Sequence, residues 1–212
     1  MSKTKFTAKN QRQRVSDSIR DGILNGKIKP GEPLRQIPLS KEFGVSQSVI
    51  REALQGLEQN GLVSAIDNVG VFVREMGAEE LLGAYQVREV LEGLAARLCC
   101  RTASRASIES LEAAAREIHA ARGDSKRILR STLERQFHQR FLELSGNDTL
   151  LRQSAGYRFV GDLIVTDRDA DELLKEHLAI VKAVAENQPD KAEAFARKHV
   201  SASAQSIWDK LV

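Results

Sequence analysis

Between Pro38 and Pro189 the chain contains no proline. Proline inside a helix removes a backbone donor and clashes with the preceding turn, so a long stretch without it is open to uninterrupted helices. After Val73 no strand-like alternation occurs, and apolar residues recur instead at spacings of three and four. Six helices are expected there, at about residues 79–102, 107–122, 125–144, 149–165, 170–186 and 189–211. The breaks fall on turn or cap sequences: Gly123-Asp124, Ser145-Gly146-Asn147-Asp148, Asp167 to Asp169 and Asn187-Gln188-Pro189.

The first third is organised differently. Residues 13–25 predict a helix with Val15, Ile19, Ile23 and Leu24 inward, closed by Asn25-Gly26 and then Lys29-Pro30-Gly31-Glu32-Pro33. A short segment, 38–43, leads to Gly44, which can take a positive φ, and to Ser46, a good N-cap. Val49, Ile50, Ala53, Leu54 and Leu57 then make one apolar stripe, while Gln47, Ser48, Arg51 and Gln55 occupy the opposite face. Two β-prone runs, 62–66 and 69–73, join at Asp67 and Asn68. A short helix, a tight turn, a helix with polar residues at its N-terminal end and a following hairpin are the layout of a winged helix-turn-helix, whose second helix enters the major groove. By itself the helix pair also fits an ordinary hairpin with a solvated face.

At 212 residues the chain is long enough for two cores, and the change of pattern near residues 74–78 divides it into 1–75 and 76–212. The expected fold class is mainly α: a winged helix-turn-helix followed by an all-α bundle of about six helices. Charge divides at the same place. Residues 1–75 carry 12 Lys plus Arg against 8 Asp plus Glu, and residues 76–212 carry 20 against 21. A basic surplus at a winged helix supplies the phosphate attraction that dominates non-specific DNA affinity. The tail holds Lys3, Lys5, Lys9, Arg12 and Arg14, and no acid precedes Asp17. Candidate DNA contacts are therefore Arg12, Arg14, Arg35, Ser46, Gln47, Ser48, Arg51, Asn68 and Gly70.

Cys99 and Cys100 are adjacent, cannot easily bridge each other, and read as small apolar fillers in a reducing cytosol. With no apolar signal segment and no stretch of membrane-spanning length, a soluble cytoplasmic protein is expected, with no membrane partner.

Of the four histidines, His138, His177 and His199 fall on apolar faces of three predicted helices, and Glu134 lies one turn before His138 beside the seam Leu129, Leu133, Phe137, Phe141. Each alone fits a hydrogen-bonded core histidine. Together, three imidazoles and a carboxylate can converge in a bundle interior and leave coordination positions open for water or ligand. His119 has no partner pattern.

Taken together, these residues carry a resemblance. Gly44-Val45-Ser46, Arg51-Glu52-Ala53-Leu54, Leu57, Gly61-Leu62-Val63 and Gly70-Val71-Phe72-Val73 resemble the GntR-type transcriptional regulators of the FadR group. Val87-Arg88, Leu91 to Arg97, Phe137-His138, Ser145-Gly146-Asn147 and Glu176-His177 through Ile180 resemble their all-helical FCD effector domain. The resemblance covers nearly the whole chain. It implies a homodimer built through the helical domain, a pseudo-palindromic double-stranded operator, and a small organic acid that alters DNA affinity, repression being the commoner arrangement.

In many relatives three His and an Asp hold a divalent metal whose coordination the acid's carboxylate completes. His138, His177 and His199 match the imidazoles, and Glu134 stands where the family has Asp. The extra methylene would move the metal, change its identity or let a water replace the carboxylate. Nitrogen-rich ligation favours zinc or nickel, with manganese as a further candidate. Arg88 matches a family Arg that clamps a carboxylate, or else pairs with Glu89 or Glu92 at the dimer surface. Tyr85 and Tyr157 either line the effector pocket or are core aromatics.

In the reading helix Gln47, and in the helix before it Ile37, replace two common family arginines, and Arg51 is retained. Gln pairs with adenine where Arg favours guanine, so an altered half-site is expected. Three other classes compete with the acid-responsive regulator: a metal sensor, a metal-independent DNA binder and a metalloenzyme. For the last no second acid/base pair or nucleophile stands out, and no catalytic residue is expected.

Overall fold

The computed structural model describes residues 8–24, 26–154, 157 and 168–211. These form nine helices and one two-stranded sheet. Contacts divide the chain into two compact units, 1–75 and 76–212.

In the first unit, α1 (Ala8–Leu24) buries Val15, Ile19 and Ile23. It begins several residues before the expected start, because Gln11 to Arg14 are good helix formers and nothing breaks the register upstream. A left-handed Gly44 (φ 64°) closes α2 (Gln36–Phe43), and its N–H reaches back to the Ser40 carbonyl. Ser46 caps α3 (Gln47–Gln59), its hydroxyl accepting from the Val49 N–H at 3.4 Å. Strands β1 (Val63–Ile66) and β2 (Gly70–Val73) pair antiparallel with Val63 opposite Val73. An added bridge between Pro33 and Phe72, with the Leu34 N–H on the Val71 carbonyl, ties the Lys29 to Pro33 turn to the wing. The turn chemistry of that segment concealed this role.

The second unit is the helical bundle: α4 (Ala78–Thr102), α5 (Arg105–Ala120), α6 (Arg127–Leu144), α7 (Asp148–Ser154), α8 (Ala170–Ala185) and α9 (Pro189–Leu211). Ser104 caps α5 two residues earlier than expected, and a 3-10 turn at Asp124–Lys126 precedes α6. The helix expected over 149–165 is α7 at its start; beyond Ser154 it lies, apart from Tyr157, outside the described residues. Phe137, Phe141, Leu111, Ile118, Ile180 and Val184 form the core with Ala95, Ala96 and Cys99 of α4. Leu129, expected on the inward seam of α6, stands in the first turn of that helix and is instead 51% exposed. At Gly93 an added Cβ would lie 2.7 Å from Arg197 Cγ, so glycine permits the close approach of α4 and α9.

Leu111 is fully buried among these side chains. Leu111→Ala is expected to destabilise the helical unit by about 2–5 kcal/mol, through lost transfer energy and the cavity left behind, measured by urea unfolding.

Candidate functional site

The first unit presents a polar reading face. Val49, Ile50, Ala53, Leu54 and Leu57 of α3 are buried, which turns Gln47, Ser48, Arg51 and Gln55 outward. Ser46 is occupied by its cap and by Ser48, whose hydroxyl lies 2.8 Å away, so Gln47 and Arg51 carry the less committed side chains. At the wing tip Asn68 takes φ 60° and Gly70 φ 139°, leaving Val69 67% exposed. Arg12, Arg14 and Arg35 are exposed, as is Ile37 on α2. Lys3 and Lys5 lie outside the described residues.

The second unit brings three of the predicted ligands together. Among the described residues, one nitrogen from each of His138 (α6), His177 (α8) and His199 (α9) lies within 4.8 Å of the others. His177 is fully buried, and neither of its ring nitrogens has a hydrogen-bond partner. His199 Nδ1 lies 2.8 Å from Glu176 Oε2, and Arg168 grips both oxygens of that carboxylate at 2.8 and 2.6 Å. His138 Nδ1 lies 2.9 Å from Glu92 Oε2, while Arg88 contacts Oε1 of Glu92 at 2.8 and 2.9 Å.

The Glu176 contact fixes the His199 tautomer. Burial raises the Glu176 pKa, but the His199 hydrogen bond and Arg168 more than offset it and hold the group at about 2. Glu92 is likewise held well below the carboxylate range by Arg88 and His138 against the effect of burial. An ionised carboxylate only accepts, so Nδ1 of His199 donates to Glu176. Burial, and then Glu176 and His138 in opposition, leave His199 at about 4, and burial pushes His177 well down. A neutral His199 with Nδ1 protonated leaves its Nε2 as an acceptor, which faces Nε2 of His138 at 3.3 Å. Two neighbouring nitrogens bound at 2.0–2.1 Å to one octahedral or tetrahedral ion lie roughly 2.8–3.4 Å apart, a range that includes this spacing. The buried, unpartnered nitrogens of His177 supply the third donor.

Glu134 does not join the cluster. It lies one turn before His138 on the wall of an adjoining cavity, 3.8 Å from Arg130, and burial raises its pKa. The cavity, about 60 Å³ by a measure in which one water takes roughly 10–15 Å³, is lined by Tyr85, Arg88 and Glu92 from α4, Ser131 to Gln139 positions of α6, Ser154, Tyr157, and His199 and Ser203 from α9. Arg88 is inside the bundle on Glu92, its guanidinium 4.9 Å from the Tyr85 ring centre, and not on an outer face. Burial works against its charge, and Glu92 more than restores it. Tyr85 is itself buried, and Tyr157 is half-buried.

Sequence reasoning missed Glu176, Arg168, Arg135 and Gln139. Glu176 directly precedes His177 and so belongs to another face of its helix. Its partner is a histidine 23 residues away on the next helix, a pairing that spacing along one helix cannot reveal. His119 has a structural partner after all, Asp171 Oδ1 at 2.7 Å, which ties α5 to α8.

Comparison with known proteins decides the family. Residues 11–73 match the bacterial regulatory proteins of the gntR family, and residues 83–202 match the FCD domain. The chain belongs to the GntR family of transcriptional regulators, with an FCD domain. It is 30% identical over 189 residues to the Nta operon transcriptional regulator of Aminobacter aminovorans, covering 86% of this chain and 87% of that one. It is 26% identical over 211 residues to the HTH-type transcriptional repressor RspR of Escherichia coli K12, covering 92% and 88%. The structure of E. coli McbR/YncC superposes with a TM-score of 0.77 at 18% identity, over 95% of this chain and 99% of that one, and so shares its fold. GntR regulators bind DNA operators, FCD domains bind small-molecule effectors, and the family is not one of enzymes. No helix among the described residues is long and apolar enough to cross a membrane.

An imidazole buried with both nitrogens unpaired costs the fold about 1–3 kcal/mol. In chelator-treated protein His177→Leu is therefore expected to raise stability by about 1 kcal/mol or more in urea unfolding. A clear loss would mean that the chain itself satisfies those nitrogens.

Proposed function

We propose that this regulator is a cytoplasmic homodimer that binds a pseudo-palindromic operator and releases it in response to a small organic acid. The acid would sit in the cavity of the helical bundle beside a divalent metal held by His138, His177 and His199. The observation that carries this reading is the buried His177, neither of whose ring nitrogens is hydrogen-bonded, beside two imidazoles whose Nε2 atoms face one another at 3.3 Å.

All three donors are nitrogens, which favours zinc or nickel over manganese. When bound, the ion supplies a Lewis acid to which a carboxylate coordinates. The chain's own residues do the rest: Glu92 and Glu176 orient the imidazoles, a backing that in metal sites is worth 10–100-fold in affinity. Arg88 and Arg168 neutralise those carboxylates, so the surroundings of the cluster add no net charge to repel an acid.

Support for the dimer comes from α4. Val87, Val90 and Leu94 recur at helical spacing and are 38%, 48% and 36% exposed, an apolar stripe suited to a second copy. A repressor is the sense favoured by the E. coli relative named as one.

Two measurements test the reading. Purified protein is expected to hold about one divalent ion per chain, and metal-loaded protein to lose operator affinity 5- to 150-fold with a cognate acid, the span of a coupling of about 1–3 kcal/mol. His177→Ala should abolish both at fixed salt. A response to metal without any acid would make the protein a metal sensor instead, and full operator binding indifferent to both would leave a metal-independent DNA binder.

On the DNA side, Gln47 is proposed to read an A·T pair and Arg51 to contact a base or phosphate. In a binding-site selection Gln47→Arg is expected to shift one half-site position toward G·C. An unchanged preference at every position would remove Gln47 as a reader.

A further inference from the structure

Among the described residues of the first unit, three large aliphatic side chains stand exposed: Ile37 at 57%, Ile66 at 51% and Val69 at 67%. Their surroundings differ. Ile66 and Val69 belong to the wing, where no Lys or Arg occurs between Val63 and Val73 and Asp67 adds a negative charge. Nothing in that segment draws a phosphate backbone. Ile37 lies in the first turn of α2, with exposed Arg35 two residues before it and exposed Lys41 one turn after it on the same side of the helix. Cations neutralise phosphates, so of the three aliphatic groups Ile37 is the one set where DNA is attracted.

The packing of α2 fixes which way Ile37 faces. Pro38, Leu39, Glu42 and Phe43, together with Arg35, line a groove shared with Ser18 to Gly22 of α1. Ile37 and Lys41 do not line it and occupy the other exposed side of the helix. Ser40, three residues on from Ile37 and so its neighbour along the helix, donates its hydroxyl to the Val45 carbonyl at 2.6 Å. The N–H groups of Gly44 and Val45 in turn reach the Ser40 carbonyl. Val45 directly precedes the Ser46 cap from which Gln47 and Ser48 project. Ile37 therefore stands on the flank of α2 that is tied to the head of α3.

A side chain with neither donor nor acceptor cannot match the hydrogen-bonding pattern of a base edge. In the major groove the apolar feature on those edges is the thymine 5-methyl group, which apolar side chains recognise by contact. We infer that Ile37 is a base reader that packs against a thymine methyl group in each operator half-site, beside the pair assigned to Gln47. The inference rests on α3 entering the major groove as proposed above. It adds an apolar contact, and a base, to the polar contacts of Gln47 and Arg51.

The test uses full-length protein and the half-site found by binding-site selection, with each thymine replaced in turn by deoxyuridine. That exchange removes the 5-methyl group and leaves base pairing and the O4 acceptor unchanged. At one position the exchange is expected to weaken wild-type binding about fourfold per half-site at fixed salt, the equivalent of one methyl group no longer buried. Ile37→Ala should bind the thymine and uracil duplexes equally, and Ile37→Val should keep part of the preference. Ile37→Ala should also leave the salt dependence of binding as it was, because no charge is removed. The wild-type comparison needs no variant to fold. If no thymine methyl is felt by the wild type, or if Ile37→Ala feels the same methyl as strongly, the assignment is overturned. Arg51→Ala binding the selected site with unchanged affinity and preference would overturn the underlying docking of α3, an outcome separable because it involves neither Ile37 nor a modified base.

Discussion

Three imidazoles share a bundle interior in which neither ring nitrogen of the innermost one has a hydrogen-bond partner among the described residues. His177 packs its ring 4.4 Å from that of Phe137 and 4.6 Å from that of His199, and neither contact can satisfy a nitrogen. The groups around the cluster are arranged as if to prepare it. Glu92 and Glu176 each back one ring from the far side, and Arg88 and Arg168 each hold one of those carboxylates. The two Arg–Glu pairs cancel in charge, so a divalent cation among the rings would be the dominant local charge. An anion entering the cavity would then meet positive potential that nothing in the chain has already consumed.

Position in the core makes the site sensitive to packing. Phe137 touches His138 and His177 on one side and stacks edge-on against Phe141 on the other, and Phe141 belongs to the main apolar cluster. The ligand helices α6, α8 and α9 are thus held by the same contacts that stabilise the bundle. Occupation of the site would favour one packing of these helices over any other by the differential affinity it has for the two, which is the only means by which a ligand shifts an equilibrium. The thiol of Cys99, pushed up to about 12 by burial, donates to the Phe141 carbonyl and acts as filler, not as a reactive group.

Much of the fold was legible because its signals are local. Gly44 and Ser46 announce the turn and cap of α3, the period-3.6 stripe announces its buried face, and Asp67-Asn68 announces the wing. The three histidines were legible as inward-facing because each lies on an apolar stripe of its own helix. Their partners were not. Glu176 is adjacent to His177 in sequence yet serves His199 on another helix, and only tertiary packing decides such a pairing. The same blindness placed Glu134 with the metal: a spacing of four says that two side chains share a face, and it does not say that both reach the same point. Leu129 shows the converse, an apolar residue in register that stands exposed in the first turn of its helix.

The departures from the family pattern lie outside the apolar clusters. Gln47 and Ile37 are exposed on the first unit, and Glu134 lines a cavity in the second. None belongs to the buried apolar clusters, so none is constrained by volume. What such a change alters is donor and acceptor character. An amide in place of a guanidinium changes which base edge can be matched. A site that hydrogen-bonds a particular group discriminates strongly against a partner lacking it, because its buried polar groups are then left unpaired. A single polar residue at a position the packing leaves free can thus change a preference while the scaffold is retained.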